Sequence, residues 1–506
     1  MIRTRFAPSP TGYVHIGNLR TTLFEYLFAR KNNGVFIVRV EDTDQERSVT
    51  GALESMLKTL AWAGIVPDEG VMLEPGDLGE GDRVVQKGNF GPYIQSERLN
   101  AYKKYAQVLL DTGFAYYAFD TAEELNAMRE NQQARKVATK YDRTRMRNQL
   151  TLTPEEVTIL LASDAERVVR LKVPDSGEVS FDDIVHGKTV FDVKEIDDQV
   201  LIKSDGFPTY HMAVVVDDHL MEITHVIRGD DWISSTPKHL LLYQAFGWTP
   251  PIYAHVPLIL NADKSKLSKR QGDVAVEDYQ KKGYLAEALV NFIVFCGWNP
   301  GTAKELYTKD ELIKDFSLEK VSKAGAVFNI DKLNWYNKEY LKSLPLDELV
   351  SRALPFFMNV PFYEKFEPQI ANEGAWFGSV LSLERERVTT LAELPEAVKF
   401  VFELPEYQKE LLAWRKGTVE EARKILPELK SFLEGFSDDD WNKAALEHKV
   451  GEWIAAKGYT TGSALWPLRV ALSGQQNSPG PYEIAEVLGM EESLKRIEAG
   501  VMSLGA

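Results

Sequence analysis

Cysteine is nearly absent: the 506 residues contain one, Cys296. A single cysteine excludes an internal disulfide and any zinc site built on several cysteines. Its setting, the apolar run Phe292 to Trp298, marks it as core. Long apolar runs are missing too. No segment approaches the roughly 20 apolar residues of a membrane span, and Phe292 to Trp298 is far too short. No apolar h-region follows Met1-Ile2-Arg3-Thr4-Arg5-Phe6, so no secretory signal is expected and the protein is placed in the cytoplasm. Positive charge is in deficit, with a net charge of −16. That argues against a generic nucleic-acid binder, which is usually basic, but local basic stripes remain compatible with RNA. Glu41-Asp42-Thr43-Asp44 lacks the central Gly and later ligands of a calcium loop. No Ser-His-Asp arrangement stands out.

What is present begins at Arg5. A short strand, Ile2 to Ala7, runs into Pro8-Ser9-Pro10, where two prolines forbid regular structure. Thr11-Gly12 turns the chain. From Leu19 the period changes: Leu19, Leu23 and Leu27, with Phe24 and Phe28, repeat at helical spacing. A helix N-terminus offers unpaired N–H groups and partial positive charge, which suits phosphate, and His15 stands at that entrance. Val35 to Val40 reads as a second, buried strand, so a βαβ unit of a doubly wound sheet opens the chain. Active sites of such sheets lie at the strand C-terminal ends, where Ala7 to Thr11 and Glu41 to Asp44 fall. Asp42 or Asp44 also suits a helix cap. Far downstream Lys264, Lys266, Lys269 and Arg270 crowd one loop, with Gly272 allowing a bend. A polyphosphate lying against them would offset the cost of that crowding.

Further elements follow by pattern. Leu53 to Gly64 reads as a helix. Pro67 to Pro92, rich in Gly and acidic residues, reads as an extended loop, either disordered or a lid. A helix then runs through Leu110. Between Tyr116 and Ser204 the composition changes, and Arg143, Arg145 and Arg147, preceded by Arg135, Lys136 and Lys140, form the clearest basic stripe. It suits a phosphate backbone; the alternative is a solvated helix face. Val168 to Val173, Thr189 to Val193 and Met212 to Val216 are expected as strands, with Asp217 or Asp218 capping a helix. Thr224 to Trp232 reads as a strand ending in charge, Thr236 to Phe246 as a helix, Pro257 to Leu260 as a strand and Tyr284 to Cys296 as a helix. From Leu344 helices are expected between breaks at Pro345, Pro355, Pro361, Pro368, Pro395 and Pro405.

His15-Ile16-Gly17-Asn18, with its Pro-Ser-Pro-Thr-Gly lead-in, resembles the His-Ile-Gly-His/Asn motif of class I aminoacyl-tRNA synthetases. Asp263 to Arg270 resembles their Lys-Met-Ser-Lys-Ser motif. Arg39 to Asp44, Gly91 to Arg98 and Thr224 to Trp232 resemble the glutamyl-tRNA synthetase family in particular. The resemblance is strongest over 3–64 and 199–275 and weakest over 345–450.

It implies an α/β fold: a doubly wound Rossmann-like catalytic domain (1–112 and 205–260) split by an acceptor-stem-binding α/β insertion (113–204). A loop and stem-contact region (261–335) and an all-α anticodon-binding region (336–506) follow. The implied reaction joins L-glutamate to the terminal adenosine of tRNA(Glu) through a glutamyl-adenylate, using ATP with Mg²⁺; whether tRNA(Gln) is also charged is left open. Resemblance assigns catalysis to His15 and Lys269. It assigns ATP to Ser9, Thr11, Gly12, His15, Gly17, Asn18, Asp231, Ile259, Lys266, Leu267, Ser268, Lys269 and Arg270. Glutamate goes to Arg5, Ala7, Ser9, Glu41, Tyr210 and Arg228, with Glu41 on the amino group. The basic stripe Arg143, Arg145 and Arg147 is matched to tRNA. Some members hold zinc in the insertion; here Tyr116-Tyr117-Ala118 stands at the corresponding turn, so no zinc is expected. The expected state is a monomer without membrane contact.

Three rivals stand beside this reading. A glutaminyl enzyme differs at the second pocket arginine. A shorter relative that modifies a tRNA base has no need of the helical residues beyond Trp335. An inactive RNA-binding paralogue has no physical need for two phosphate-binding loops.

Overall fold

Strand β1 (Arg3–Phe6) is buried along its whole length although it alternates charged and apolar residues. It can be so because its charges are paired: Arg3 bonds Glu69 at 2.6 Å and Arg5 bonds Asp218 at 3.1 Å. The computed structural model describes residues 1–505 except 48, 77–80, 268–273, 415 and 416. Helix α1 (Ile16–Lys31) returns the chain to β2 (Val35–Val38), which pairs parallel with β1. After α2 (Ala52–Trp62), β3 (Glu69–Glu74) pairs parallel with β2, and β4 (Arg83–Lys87) closes the edge antiparallel. The stretch expected to be a disordered loop or lid is therefore a hairpin of the central sheet. Gly70 has φ +104°, and a Cβ there would lie 2.1 Å from the Val38 carbonyl oxygen. This glycine marks close strand approach, not looseness.

α3 (Leu99–Asp111) leads to the insertion. There β5 (Ala115–Ala118), α4 (Ala122–Ala134), α5 (Pro154–Ala162), β6 (Val168–Leu171), β7 (Glu178–Asp183), β8 (Gly187–Asp192) and β9 (Val200–Ile202) follow in order. β5, β6 and β9 make an antiparallel sheet of their own. Tyr116 to Ala118 is thus strand and not turn. The β7–β8 hairpin instead joins a four-stranded sheet in the order β10-β11-β7-β8, where β10 is His225–Gly229 and β11 is Ile252–Val256. Thr224 stitches this half to the first: its N–H donates to the Arg3 carbonyl at 3.0 Å and its Oγ1 accepts from the Arg3 N–H at 2.9 Å.

Met212 to Val216, expected as a strand, lies inside helix α6 (Tyr210–Leu220). Met212 through Val216 are all buried, and a short element apolar on every side carries no period to separate helix from strand. Asp217 and Asp218 are not caps but buried helix residues. Asp217 accepts from Arg98 Nε at 2.7 Å, Gln95 Nε2 at 3.0 Å and the Tyr102 hydroxyl at 2.8 Å. α7 (Thr236–Phe246) begins as expected, with Pro237 in its first turn. β12 (Ile259–Leu260) pairs with β13 (Ala326–Val327), and between them lie α8 (Val276–Lys281) and α9 (Ala286–Phe295). Cys296 is buried.

Residues 1–279 with 289–330 form one compact unit, and 280–288 with 331–506 form a second. The second is helical among its described residues. Two expected breaks, Pro355 and Pro368, sit inside helices Leu346–Phe357 and Tyr363–Asn372.

Candidate active site

The C-terminal ends of β1 and β10, the loop after β2 and the start of α6 surround a cavity of about 830 Å³. Arg5, Ala7, Ser9, Asn18, Glu41, Tyr210 and Arg228 all line it, so the structure brings together residues up to 223 positions apart from each other in sequence terms of Arg5 and Arg228.

Its first motif is built by α1. His15 is the N-cap, and its Nδ1 accepts the Gly17 N–H at 2.9 Å, which leaves a neutral ring protonated at Nε2. The chain beyond the second motif returns to the first through backbone bonds: Ile16 N–H donates to the Val274 carbonyl at 2.8 Å and Val276 N–H to the Val14 carbonyl at 2.9 Å. Before that, the turn from Asn261 to Leu267 folds back on β12, with Leu267 N–H donating to the Ile259 carbonyl at 3.1 Å. Lys266 Nζ reaches Asp231 at 2.9 Å. Ser268, Lys269 and Arg270 lie outside the described residues. Thr11 N–H closes the Pro-Ser-Pro turn on the Ser9 carbonyl at 2.8 Å, and Gly12 has φ +142°.

Arg5 and Arg228, which both line the cavity, differ in their partners. Arg5 is held by carboxylates: Nε bonds Asp218 Oδ1 at 3.1 Å, Nη2 bonds Oδ2 at 3.4 Å and Nη1 bonds Glu25 at 3.4 Å. Arg39 shares Asp218 at 2.7 Å and donates to Glu41 at 3.1 Å. Burial acts upward on Asp218, but Arg5 and Arg39 outweigh it and hold the carboxyl below its usual range. Burial pushes Glu41 up to about 7 against the pull of Arg39 and Arg5.

Arg228 is 6% exposed, and its hydrogen-bond partners among the described residues are all neutral. Nε donates to His255 Nε2 at 3.0 Å, Nη1 to the Tyr210 hydroxyl at 3.1 Å and Nη2 to Thr236 Oγ1 at 2.7 Å. Two longer contacts, both 3.4 Å, reach His239 Nδ1 and the Trp232 carbonyl. Burial, then the Arg228 charge, holds His239 well below the ordinary imidazole range, so it stays neutral. Asp230 and Asp231, the alternative partners the sequence offers, form no salt bridge to Arg228 among the described residues. Tyr210 opens α6, and does not sit on a strand.

The sequence reading missed Glu25, Asp218, Thr236, His239 and His255, because each meets its arginine only through the fold. The sequence offers Asp42 or Asp44 as a helix cap. Asp42 instead accepts from Ser96, at 2.8 Å from the N–H and 2.6 Å from the hydroxyl, at the remote 3-10 turn Gln95–Arg98. The basic stripe is neither a helix nor a free row. Arg143 is engaged with Asp175 at 2.5 Å and Asp198 at 3.3 Å, and Arg147 donates to the Phe119 carbonyl at 2.5 Å. Arg145 and Arg147 are both exposed, Arg145 lying 3.7 Å from Asp142. Among the described residues no group of three or more His, Cys, Asp or Glu is disposed to hold a metal ion.

Sheets parallel but for their edge strands, a polar loop at the first helix and a lysine-bearing segment whose continuation at Val274 and Val276 bonds back to that loop are the layout of a class I tRNA synthetase. The family described as tRNA synthetases class I (E and Q), catalytic domain, matches residues 1–335, and an anticodon binding domain matches 348–501. The chain is 46% identical to a glutamate–tRNA ligase of Chlorobaculum parvum, over 99% of this chain and 97% of the relative. It is 47% identical to one of Pelodictyon phaeoclathratiforme with the same coverage. The crystal structure of a glutamate tRNA ligase from Elizabethkingia meningosepticum, in complex with its amino acid, superposes with TM-score 0.86 at 36% identity and covers 99% of both chains. The chain belongs to the glutamate–tRNA ligase family of class I synthetases.

Proposed function

We propose that this protein is a glutamate–tRNA ligase that activates L-glutamate with ATP and transfers it to the 3′-terminal adenosine of tRNA(Glu). The observation that carries the reading is the buried, charge-unpaired guanidinium of Arg228 in a cavity that also holds the Glu41 carboxylate. A substrate with one ammonium and two carboxylates complements that set. Glu41 takes the ammonium. Arg228, with Tyr210, takes the side-chain carboxylate, which displaces the two 3.4 Å contacts in favour of a charged pair. Arg5, already paired with Asp218 and Glu25, serves the α-carboxylate.

Attack of the α-carboxylate on the α-phosphate of ATP forms glutamyl-adenylate and releases pyrophosphate. The terminal ribose hydroxyl of tRNA then takes the acyl group and AMP leaves. Positioning and electrostatic stabilisation dominate such a transfer. His15 Nε2–H supplies a donor to phosphate, whereas the first N–H groups of α1 are already taken by the Val274 carbonyl and by His15; Lys266 and Lys269 supply charge to the departing pyrophosphate. Mg²⁺ enters as part of the ATP substrate. The same reading includes a cytoplasmic monomer, with residues 113–204 on the acceptor stem and 336–506 on the anticodon. Purified protein, ATP, tRNA(Glu) and tRNA(Gln) should give glutamyl-tRNA(Glu) with glutamate and little product with glutamine. Charging by glutamine in preference to glutamate would refute the assignment, and the tRNA(Gln) lane decides whether that tRNA is accepted.

A further inference from the structure

Asp183 ends β7, in the segment inserted between the two halves of the sheet, yet it meets the amino-acid cavity through one intermediary. Its Oδ1 accepts the N–H groups of Val185 and His186, both at 2.9 Å. Its Oδ2 accepts from the His255 N–H at 3.0 Å and lies 2.7 Å from His255 Nδ1. Three backbone N–H donors on a carboxylate that is 4% exposed keep it ionised. An ionised acceptor requires a proton on His255 Nδ1. A neutral His255 ring then carries its lone pair on Nε2, and Arg228 Nε points there at 3.0 Å. His255 is fully buried, and burial holds it below the ordinary imidazole range although Asp183 acts upward, so the ring is neutral. An imidazolium would set an N–H against the Nε–H of Arg228.

We propose that Asp183 and His255 are a positioning pair that fixes Arg228 for the side-chain carboxylate of glutamate while leaving its charge unspent, a role that rests on the glutamate reading of the cavity. The intervening imidazole is the point. Arg5 shows the alternative, a guanidinium gripped directly by carboxylates. A carboxylate on Arg228 would orient it equally well but would satisfy the charge that must choose glutamate over glutamine. Asp183 instead sets the tautomer of His255, and the neutral ring sets the rotation of the guanidinium. The inserted hairpin thereby takes part in amino-acid selection.

Two substitutions separate this role from packing. His255→Gln can keep an acceptor near the Nε2 position but loses the donor to Asp183. His255→Asn can keep the donor near the Nδ1 position but loses the acceptor for Arg228. If the pair positions Arg228, His255→Asn raises KM for glutamate about 10- to 100-fold, as expected for a lost hydrogen bond to a charged group, with kcat changed far less. His255→Gln raises it less, although it melts lower because Asp183 has lost a partner. KM and melting temperature thus rank the two variants in opposite orders, and the glutamate-to-glutamine ratio narrows most in His255→Asn. KM values that follow the melting order, or an unchanged ratio in His255→Asn, overturn the proposal. Nitrogen-15 spectra of histidine-labelled wild type test it without activity: His255 should show a protonated Nδ1 and a bare Nε2 at neutral pH. The opposite tautomer or an imidazolium overturns it. Wild type that fails to charge tRNA with glutamate would refute the functional reading instead, and the tautomer would still report on the pair.

Discussion

At the scale of single residues, charge decides more than shape. Glutamate and glutamine fill almost the same volume, so a shaped pocket cannot separate them. Arg228→Leu should lower kcat/KM for glutamate by at least about 100-fold, near 3 kcal/mol, and narrow the preference over glutamine, which loses less. Aminoacylation of both amino acids by wild type and variant measures it; a variant with its full preference would clear Arg228 of the role. Glu41 gives a pH-dependent case. Its folded pKa of about 7 lies above the ordinary 4.5, so the folded state binds the proton more tightly than the unfolded one. Its contribution to stability is complete below about pH 4.5 and is lost as pH rises through 7. Glu41→Gln should escape that loss. Its melting temperature should gain on wild type between pH 5 and 7 and hold the gain above, by at most on the order of 3 kcal/mol, while glutamate binding collapses. A constant difference across pH would show that Glu41 does not titrate there. The sequence made the motif residues legible because their spacing is local. It hid Asp218, 213 positions from Arg5, and also His255, 27 positions from Arg228, with Asp183 behind it, since nothing local to either arginine announces its partner.

At the scale of elements, the legible ones have a period or a punctuation mark. α1 shows leucines four residues apart, at 19, 23 and 27, and α7 its Thr236-Pro237 start. α6 did not show itself, because Val214, Val215 and Val216 favour strand by propensity while burial on all sides erased the period. β3 and β4 were hidden for another reason. Gly70 and Gly88 read as loop residues, yet their positive φ values, +104° and +123°, serve close approach to β2 and to Tyr93. Gly70→Ala tests that. Its Cβ would meet the Val38 carbonyl at 2.1 Å and the Val38 nitrogen at 2.7 Å, backbone atoms that cannot step aside. A loss of about 3 kcal/mol or more is expected from the clash together with the left-handed φ, read as a lower melting temperature and faster hydrogen exchange across β2 to β4. An unchanged melt would mean that the β2–β3 pairing is not as close as described.

At the scale of the whole molecule, chain order and compact unit do not coincide. Residues 280–288 belong with 331–506, though 289–330 belong with the sheet. Within the helical unit, Asn337 Oδ1 accepts the Leu285 N–H at 2.8 Å, and Asn334 Oδ1 accepts the Tyr284 hydroxyl at 2.6 Å. Tyr284 and Leu285 are buried. A fragment that stops at 330 strips both partners and uncovers apolar side chains worth roughly 1.5–3 kcal/mol each. A fragment that stops at 344 keeps helix Ile330–Ser343 and with it these bonds. It gives up more distant ties, the Gly283 carbonyl to Leu391 N–H at 3.0 Å, Asn337 Nδ2 to the Thr389 carbonyl at 2.6 Å and the half-exposed Glu287–Arg352 ion pair at 2.9 Å. The 1–344 fragment should therefore melt higher and scatter less light than 1–330, and both should retain the sheet. Because the anticodon-binding match begins at 348, 1–344 should also charge native and anticodon-substituted tRNA(Glu) alike, slowly, while the full chain favours the native one. Charging assays on the two tRNAs, run beside the melts, read both halves. A full-length protein indifferent to the anticodon would remove that role from the helical unit, and a 1–330 fragment as stable as 1–344 would show that the 280–288 segment needs no cover.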